Sequence, residues 1–282
     1  MKKLLVLIVL MFTMGVVSAQ DDLGIEELAR YEVGEDGVIS LISGEADESH
    51  EDLWLLLVVL LPTDYVERYI VEYTVFESED TLAYVSEFAE DQWEFGVSIF
   101  DDPERALTII HEFAHILSLN NTQYETYPTI LLDDEEGLSD DEFYDGIEED
   151  MAACTAVAFE DGCAIEDSYL ALFTEEFWED FDVEELLDLE DEYFFFDENP
   201  DAFVTEYAAT NPAEDFAETF SYFIGLDDED YPVDGDLYEM DAKILWFEQF
   251  PELVEMRESI RENAEDNGVT FEFGESNYFF GL

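Results

Sequence analysis

Apolar and polar positions divide the chain into a leader, a sheet-forming stretch and a helical remainder. After Met1-Lys2-Lys3 an apolar run extends from Leu4 to about Val17 and ends in Ser18-Ala19-Gln20. A positive start, a short apolar centre and small residues at the cut describe a secretory signal peptide, residues 1–19, cleaved after Ala19. The run is short for a membrane span, which needs ~20 residues, and no cysteine follows it to carry a lipid. The expectation is a secreted protein with no membrane attachment after cleavage. Residues 20–50 mix Gly, Asp and Glu with brief apolar pieces and read as a loose lead-in. Leu53 to Leu61 is a continuous apolar run closed by Pro62, a buried strand or a short core helix. Tyr69–Phe76 is rich in β-branched and aromatic residues and predicts a strand, with two more around Leu82–Phe88 and Trp93–Phe100.

The apolar period then changes. Leu107, Ile110, Ala114 and Leu117 recur at three- and four-residue steps, which predicts a helix. Asp102 is its expected cap, Pro103 its first residue, and Glu104 suits the positive end. Asn120–Asp150 is polar and acidic, a loop-rich connection with one short helix. Residues 151–198 are apolar and aromatic again and read as mostly helical, up to the break at Asn199-Pro200-Asp201. Another helix starts at Asn211, as cap, with Pro212 in the first position. A last helical region runs from Leu237 to about Glu265, interrupted at Pro251. The pattern predicts an α+β domain over 51–282: a small sheet and one helix in 51–120, then a mostly helical lobe in 121–282.

The chemistry concentrates in His111-Glu112-Phe113-Ala114-His115, which holds two of the chain's three histidines. Positions i and i+4 share a helix face, so both imidazoles can bind one Zn²⁺, and Glu112 can act as general base to a water. A sheet packed on such a helix is the zincin-like layout of metallopeptidases. A catalytic zinc takes three protein ligands. No histidine follows His115, and Ser118 and Asn121 stand where a third histidine would fall in the extended motif. His50 lies upstream in the acidic lead-in and is set aside. The third ligand is then expected to be a carboxylate, and Asp133–Glu136 supplies acids near the spacing of thermolysin-like enzymes.

Phe203-Val204-Thr205-Glu206-Tyr207-Ala208-Ala209-Thr210-Asn211-Pro212-Ala213-Glu214-Asp215-Phe216-Ala217-Glu218-Thr219-Phe220 carries a second motif. Together with the histidine helix it resembles the gluzincin metallopeptidases of the anthrax lethal factor kind and related bacterial zinc-binding metallopeptidases. The resemblance covers about 102–120 and 203–224. It implies that Glu214 is the third zinc ligand, that Tyr207 points its phenol at the metal, and that Glu218 orients a ligand histidine. The connection from His115 to Glu214 is longer than the family's usual one. Each residue also has a plainer reading. Glu214 stands where a capping-box glutamate would, and Tyr207 could be a core tyrosine. The implied activity is hydrolysis of a peptide or protein substrate by a zinc-activated water, with Glu112 as base and Tyr207 as oxyanion donor. The alternative is a non-catalytic exported zinc-binding protein with a degenerate zincin fold, disfavoured because the general base Glu112 is retained.

Charge narrows the partners. Of eight basic residues, Lys2 and Lys3 leave with the leader, so six remain against 77 acidic ones. Nucleic acid, anionic membranes and acidic substrates are poor partners for such a field. With 24 Phe and 15 Tyr, the chain has ample material for a core and is not disordered. Acidic surfaces nearly devoid of Lys point to a halophilic source, with calcium as a rival user of some acids, although no stretch fits an EF-hand loop. Cys154 and Cys163 are expected to pair in an exported protein. Oligomeric state is not written in these residues. The Debye length falls from ~30 Å at 0.01 M salt to ~3 Å at 1 M, so the melting temperature is expected to rise steeply across that range. A flat or falling salt profile would overturn the assignment of these acids to salt adaptation.

Overall fold

The computed structural model describes residues 25–273, apart from 35–36, 79, 160, 180, 182–192, 229 and 234–236. The signal-peptide expectation therefore lies outside the described residues. Among those described, no helix is long and apolar enough to cross a membrane. The architecture is α+β. In chain order it comprises β1 (Glu26–Val33), β2 (Ile39–Gly44), α1 (Glu48–Leu60), α2 (Thr63–Tyr69), β3 (Ile70–Glu77), β4 (Ala83–Ala89), β5 (Gln92–Ser98) and α3 (Arg105–Leu119). There follow β6 (Tyr124–Thr126), α4 (Pro128–Glu136), α5 (Asp140–Ala153), β7 (Gly162–Ala164), α6 (Tyr169–Phe177) and α7 (Tyr193–Glu198). A 3-10 turn (Tyr207–Thr210), α8 (Pro212–Gly225), α9 (Glu239–Trp246) and α10 (Pro251–Asn267) complete it.

The sheet has the order β2-β1-β3-β5-β4. Only β3 and β5 run parallel; every other neighbouring pair is antiparallel. The three strands expected from aromatic and β-branched runs are β3, β4 and β5. The loose lead-in is a correction: residues 26–33 and 39–44 are strands of this sheet. Ala29 and Tyr31 face the core, while Arg30 between them reaches Glu27 at 3.0 Å, Glu72 at 3.3 Å and Glu94 at 3.6 Å. One cation thus gathers three acids that would otherwise repel across the strands. His50 is likewise not in a loose segment. It is buried on α1, with Nδ1 2.9 Å from the Tyr31 hydroxyl.

The run from Leu53 is helical: α1 starts at the cap Asp47, whose side chain accepts from the Ser49 amide, and ends just before Pro62. Asp102 does not cap α3. The helix begins at Arg105, after Glu104, and Asp102 instead accepts from the Glu104 amide at 3.0 Å in the preceding turn, which leaves Pro103 outside the helix. The acidic connection holds two helices, α4 and α5, rather than one; its first strand, β6, pairs antiparallel with β7 beyond those helices, and Cys163 of β7 is bonded to Cys154 with the sulfurs 2.00 Å apart. The last helix ends at Gly268, whose φ of 70° is the left-handed conformation that glycine adopts without strain.

The main apolar core joins the sheet to the helical lobe, and a small second cluster of Tyr127, Ile130 and Ile147 lies apart from it. Helix α3 lies in its middle and is buried on nearly every side, from Ala106 to Leu119. It crosses α8, with the Phe113 and Phe220 rings 6.3 Å apart and Gly225 leaving the room that Leu107 fills. Each fully buried Ile, Leu or Phe of this kind contributes about 1.5–3 kcal/mol.

Near the end of edge strand β4, burial and then the charges of Asp91, Glu90 and Asp161 push Glu87 up to about 7, although the Asp91 amide opposes the shift. A carboxyl whose folded pKa is raised above the ordinary 4.5 adds stability below that value and loses it as pH climbs through about 7. Glu87→Gln should therefore flatten the decline in urea midpoint between those two pH values, at salt held near ~1 M to screen the surface. Parallel curves for the two proteins would refute the assignment.

Candidate metal centre

The site is made where α3 passes the first turn of α8. His111 and His115 stand one turn apart on α3 and are each 7% exposed. Their Nε2 atoms are 3.1 Å apart. Glu214 comes from the start of α8, where the expectation of an Asn211 cap followed by Pro212 holds: the Asn211 side chain accepts from the Ala213 and Glu214 amides at 3.0 and 2.9 Å. Glu214 does not complete a capping box. Its Oε2 turns instead to His111 Nε2 at 3.1 Å and His115 Nε2 at 3.3 Å.

Three donor atoms thus form a nearly equilateral triangle. Ligands on a tetrahedral ion with bonds of roughly 2.0–2.1 Å are spaced about 3.3 Å apart, close to the three edges observed. Two imidazole nitrogens at this separation cannot both carry protons aimed at each other, and burying the trio is costly unless a charge is compensated at its centre. His111, His115 and Glu214 could hold a metal ion.

The remaining expected residues surround this triangle. Glu218, one turn beyond Glu214, places Oε1 2.7 Å from His111 Nδ1, the position of a carboxylate that fixes a ligand imidazole. Glu112 is packed beside the histidines, and a hydrogen bond with the Val85 backbone of β4 holds its carboxyl. Burial raises its pKa, and the neighbouring histidines counter the rise in part. Although burial opposes both charges, hydrogen bonds to Glu214 and Glu218 raise His111, while His115 and His111 hold Glu214 well below the usual carboxylate range. Tyr207 lies on the 3-10 turn with its ring 5.8 Å from that of His111. The residue as a whole is 53% exposed, but burial of its phenol and then the negative charge of Glu214 and Glu112 push the pKa upward, so the group stays a donor.

His50, set aside on sequence grounds, is paired with Tyr31. The other acids weighed, Asp133–Glu136, end α4, and their side chains lie outside the described set. One contributor had no signal in the motif. Thr205 donates to Glu218 Oε2 at 2.7 Å and accepts from the Ala208 amide at 3.0 Å, which ties the Tyr207 turn to the carboxylate behind His111. A threonine in a loop has no period or spacing that would have marked it.

Outer carboxylates of this kind are worth about 10–100-fold in metal affinity. Glu218→Gln is expected to weaken metal binding by that order, and Glu214→Ala by more, in titrations against a competing chelator. Unchanged affinity in both would remove these residues from the site. No family model, curated protein or solved structure matches the chain.

Proposed function

We propose that the chain is a secreted zinc-dependent peptidase of the gluzincin kind, with a zincin-like arrangement of sheet and histidine helix. The observation that carries this reading is the meeting of His111 Nε2, His115 Nε2 and Glu214 Oε2 at 3.1–3.3 Å with Glu112 alongside. Two nitrogens and one oxygen favour zinc over calcium or magnesium, which take six or more oxygens or keep several waters. Support comes from Glu214 lying on the helix that the resemblance to the lethal factor family implies, from the Tyr207 ring 5.8 Å from that of His111, and from Glu218 Oε1 2.7 Å from His111 Nδ1.

Zinc, when bound, polarises a carbonyl and lowers the pKa of water from 15.7 towards about 7. The chain's own residues do the rest. Glu112 takes the proton of the attacking water and returns it to the leaving amine. Its raised pKa suits a group that must both accept and release a proton near neutrality. Tyr207 stays protonated and donates to the oxygen of the scissile carbonyl as negative charge develops there. Glu218 accepts from His111 Nδ1–H and fixes which imidazole nitrogen faces the metal. The substrate in this reading is a peptide or protein met outside the cell; the acidic field disfavours nucleic acid and anionic lipid surfaces.

Cleavage of a broad peptide library should cease with chelator and return with zinc. Glu112→Gln is expected to keep its zinc and lose cleavage. Tyr207→Phe should keep its zinc and slow turnover by roughly 10²–10³, the usual worth of one oxyanion donor. Zinc uptake with no peptide cleaved would leave a metal-holding protein in place of an enzyme.

A further inference from the structure

Immediately after Glu214 stands Asp215, fully buried, and against it Lys243 of α9, also fully buried. Lys243 Nζ lies 2.7 Å from Asp215 Oδ2. The Trp178 indole, at the end of α6, donates to the same oxygen at 2.8 Å, and the Thr219 hydroxyl donates to Oδ1 at 3.1 Å. Lys243 also sits 3.9 Å from the centre of the Phe203 ring, in the stretch that leads to Thr205 and Tyr207. Both carboxylate oxygens of Asp215 are therefore held, by groups from α6, α8 and α9.

Consecutive helical residues point about 100° apart. Fixing Asp215 on one side of α8 therefore fixes the direction in which Glu214 leaves it. The other end of the helix is held by cations as well. Arg257 reaches Leu226 O at 3.1 Å, and Arg261 reaches Ile224 O at 2.9 Å and Leu226 O at 2.8 Å. Of the six basic residues beyond Lys3, three hold this one helix. A buried ion pair is a poor source of stability compared with apolar side chains of the same volume, so its use beside a ligand calls for another reason.

We infer that the Asp215–Lys243 pair, with Trp178, is a positioning device that sets the rotation of α8 and so aims Glu214 at the two imidazoles. The inference rests on the metal-site reading above. Lys243 and Asp215 act through Glu214 and touch neither metal nor substrate.

The test compares the full mature chain with Lys243→Met, the double variant Asp215→Leu/Lys243→Met, and Asp215→Asn. Thermal melting is measured without metal; zinc affinity is measured against a competing chelator, and cobalt(II) absorption reports ligand geometry. Lys243→Met alone strands a buried carboxylate and should melt well below the wild type. The double variant should recover most of that loss, yet bind zinc at least ten-fold more weakly and shift the cobalt spectrum. Asp215→Asn keeps the shape and the donors, and should fold with a smaller loss of affinity in the same direction. A folded double variant with wild-type affinity and spectrum would make the pair purely structural and overturn the inference. If the double variant fails to fold, wild-type affinity and spectrum in Asp215→Asn would overturn it instead. A wild-type chain that takes up no zinc would sink the metal reading itself, which separates the two failures.

Discussion

The crossing of α3 and α8 is the contact on which the molecule depends. It buries apolar side chains such as Phe113 and Phe220, and in the same layer it buries two imidazoles and a carboxylate. The first burial is favourable in proportion to area; the second is unfavourable unless the polar atoms are satisfied. A cation held at the centre of the triangle would reconcile the two, because the three donor atoms would then exchange water for a stronger partner. The apolar crossing thus brings the three donors together by itself, and an ion bound there would offset the cost of having done so.

Charge sets the second constraint. With so few cations, each one is committed to a specific duty. Arg30 joins acids across the sheet, Arg68 meets Asp91 at 3.3 Å, and Lys243, Arg257 and Arg261 hold α8. Most of the other described acids are at least partly exposed, where salt screens them. This division lets a strongly repulsive surface surround an interior held by apolar packing and a handful of paired charges.

How much of this was legible depended on whether the signal was local. Strands β3, β4 and β5 announce themselves through β-branched and aromatic runs, and α3 through its apolar stripe. The α8 start was readable because Asn211-Pro212 is a local signal, complete within two residues. Strands β1 and β2 were hidden for a physical reason. Glu26, Glu27 and Glu32 obscure an inward alternation that rests on Ala29 and Tyr31, and Glu27 is tolerated beside Glu72 and Glu94 through Arg30, a contact between segments distant in sequence. His50 was misplaced with them, since its burial comes from Tyr31 and Tyr73 across the chain. Helices α4 and α5 lie in an acidic stretch with little apolar periodicity to mark them. Thr205 and Lys243 were invisible because their roles exist only once three segments meet.

Among 77 acids, abundance cannot select a ligand; geometry must. A carboxylate on a solvated surface keeps its water and its rotamer freedom, and ordering one long side chain costs up to ~2 kcal/mol. For Glu214 that side-chain cost is the one left to meet, because its backbone is already fixed by the Asn211 cap and its helix is held at both ends. The neighbouring Asp215 is still more deeply buried, but its oxygens are already taken by Lys243, Trp178 and Thr219, which leaves Glu214 as the carboxylate of the cluster that could hold an ion. Of two adjacent carboxylates on one turn, the one left unsatisfied by the protein is the one free to take a metal.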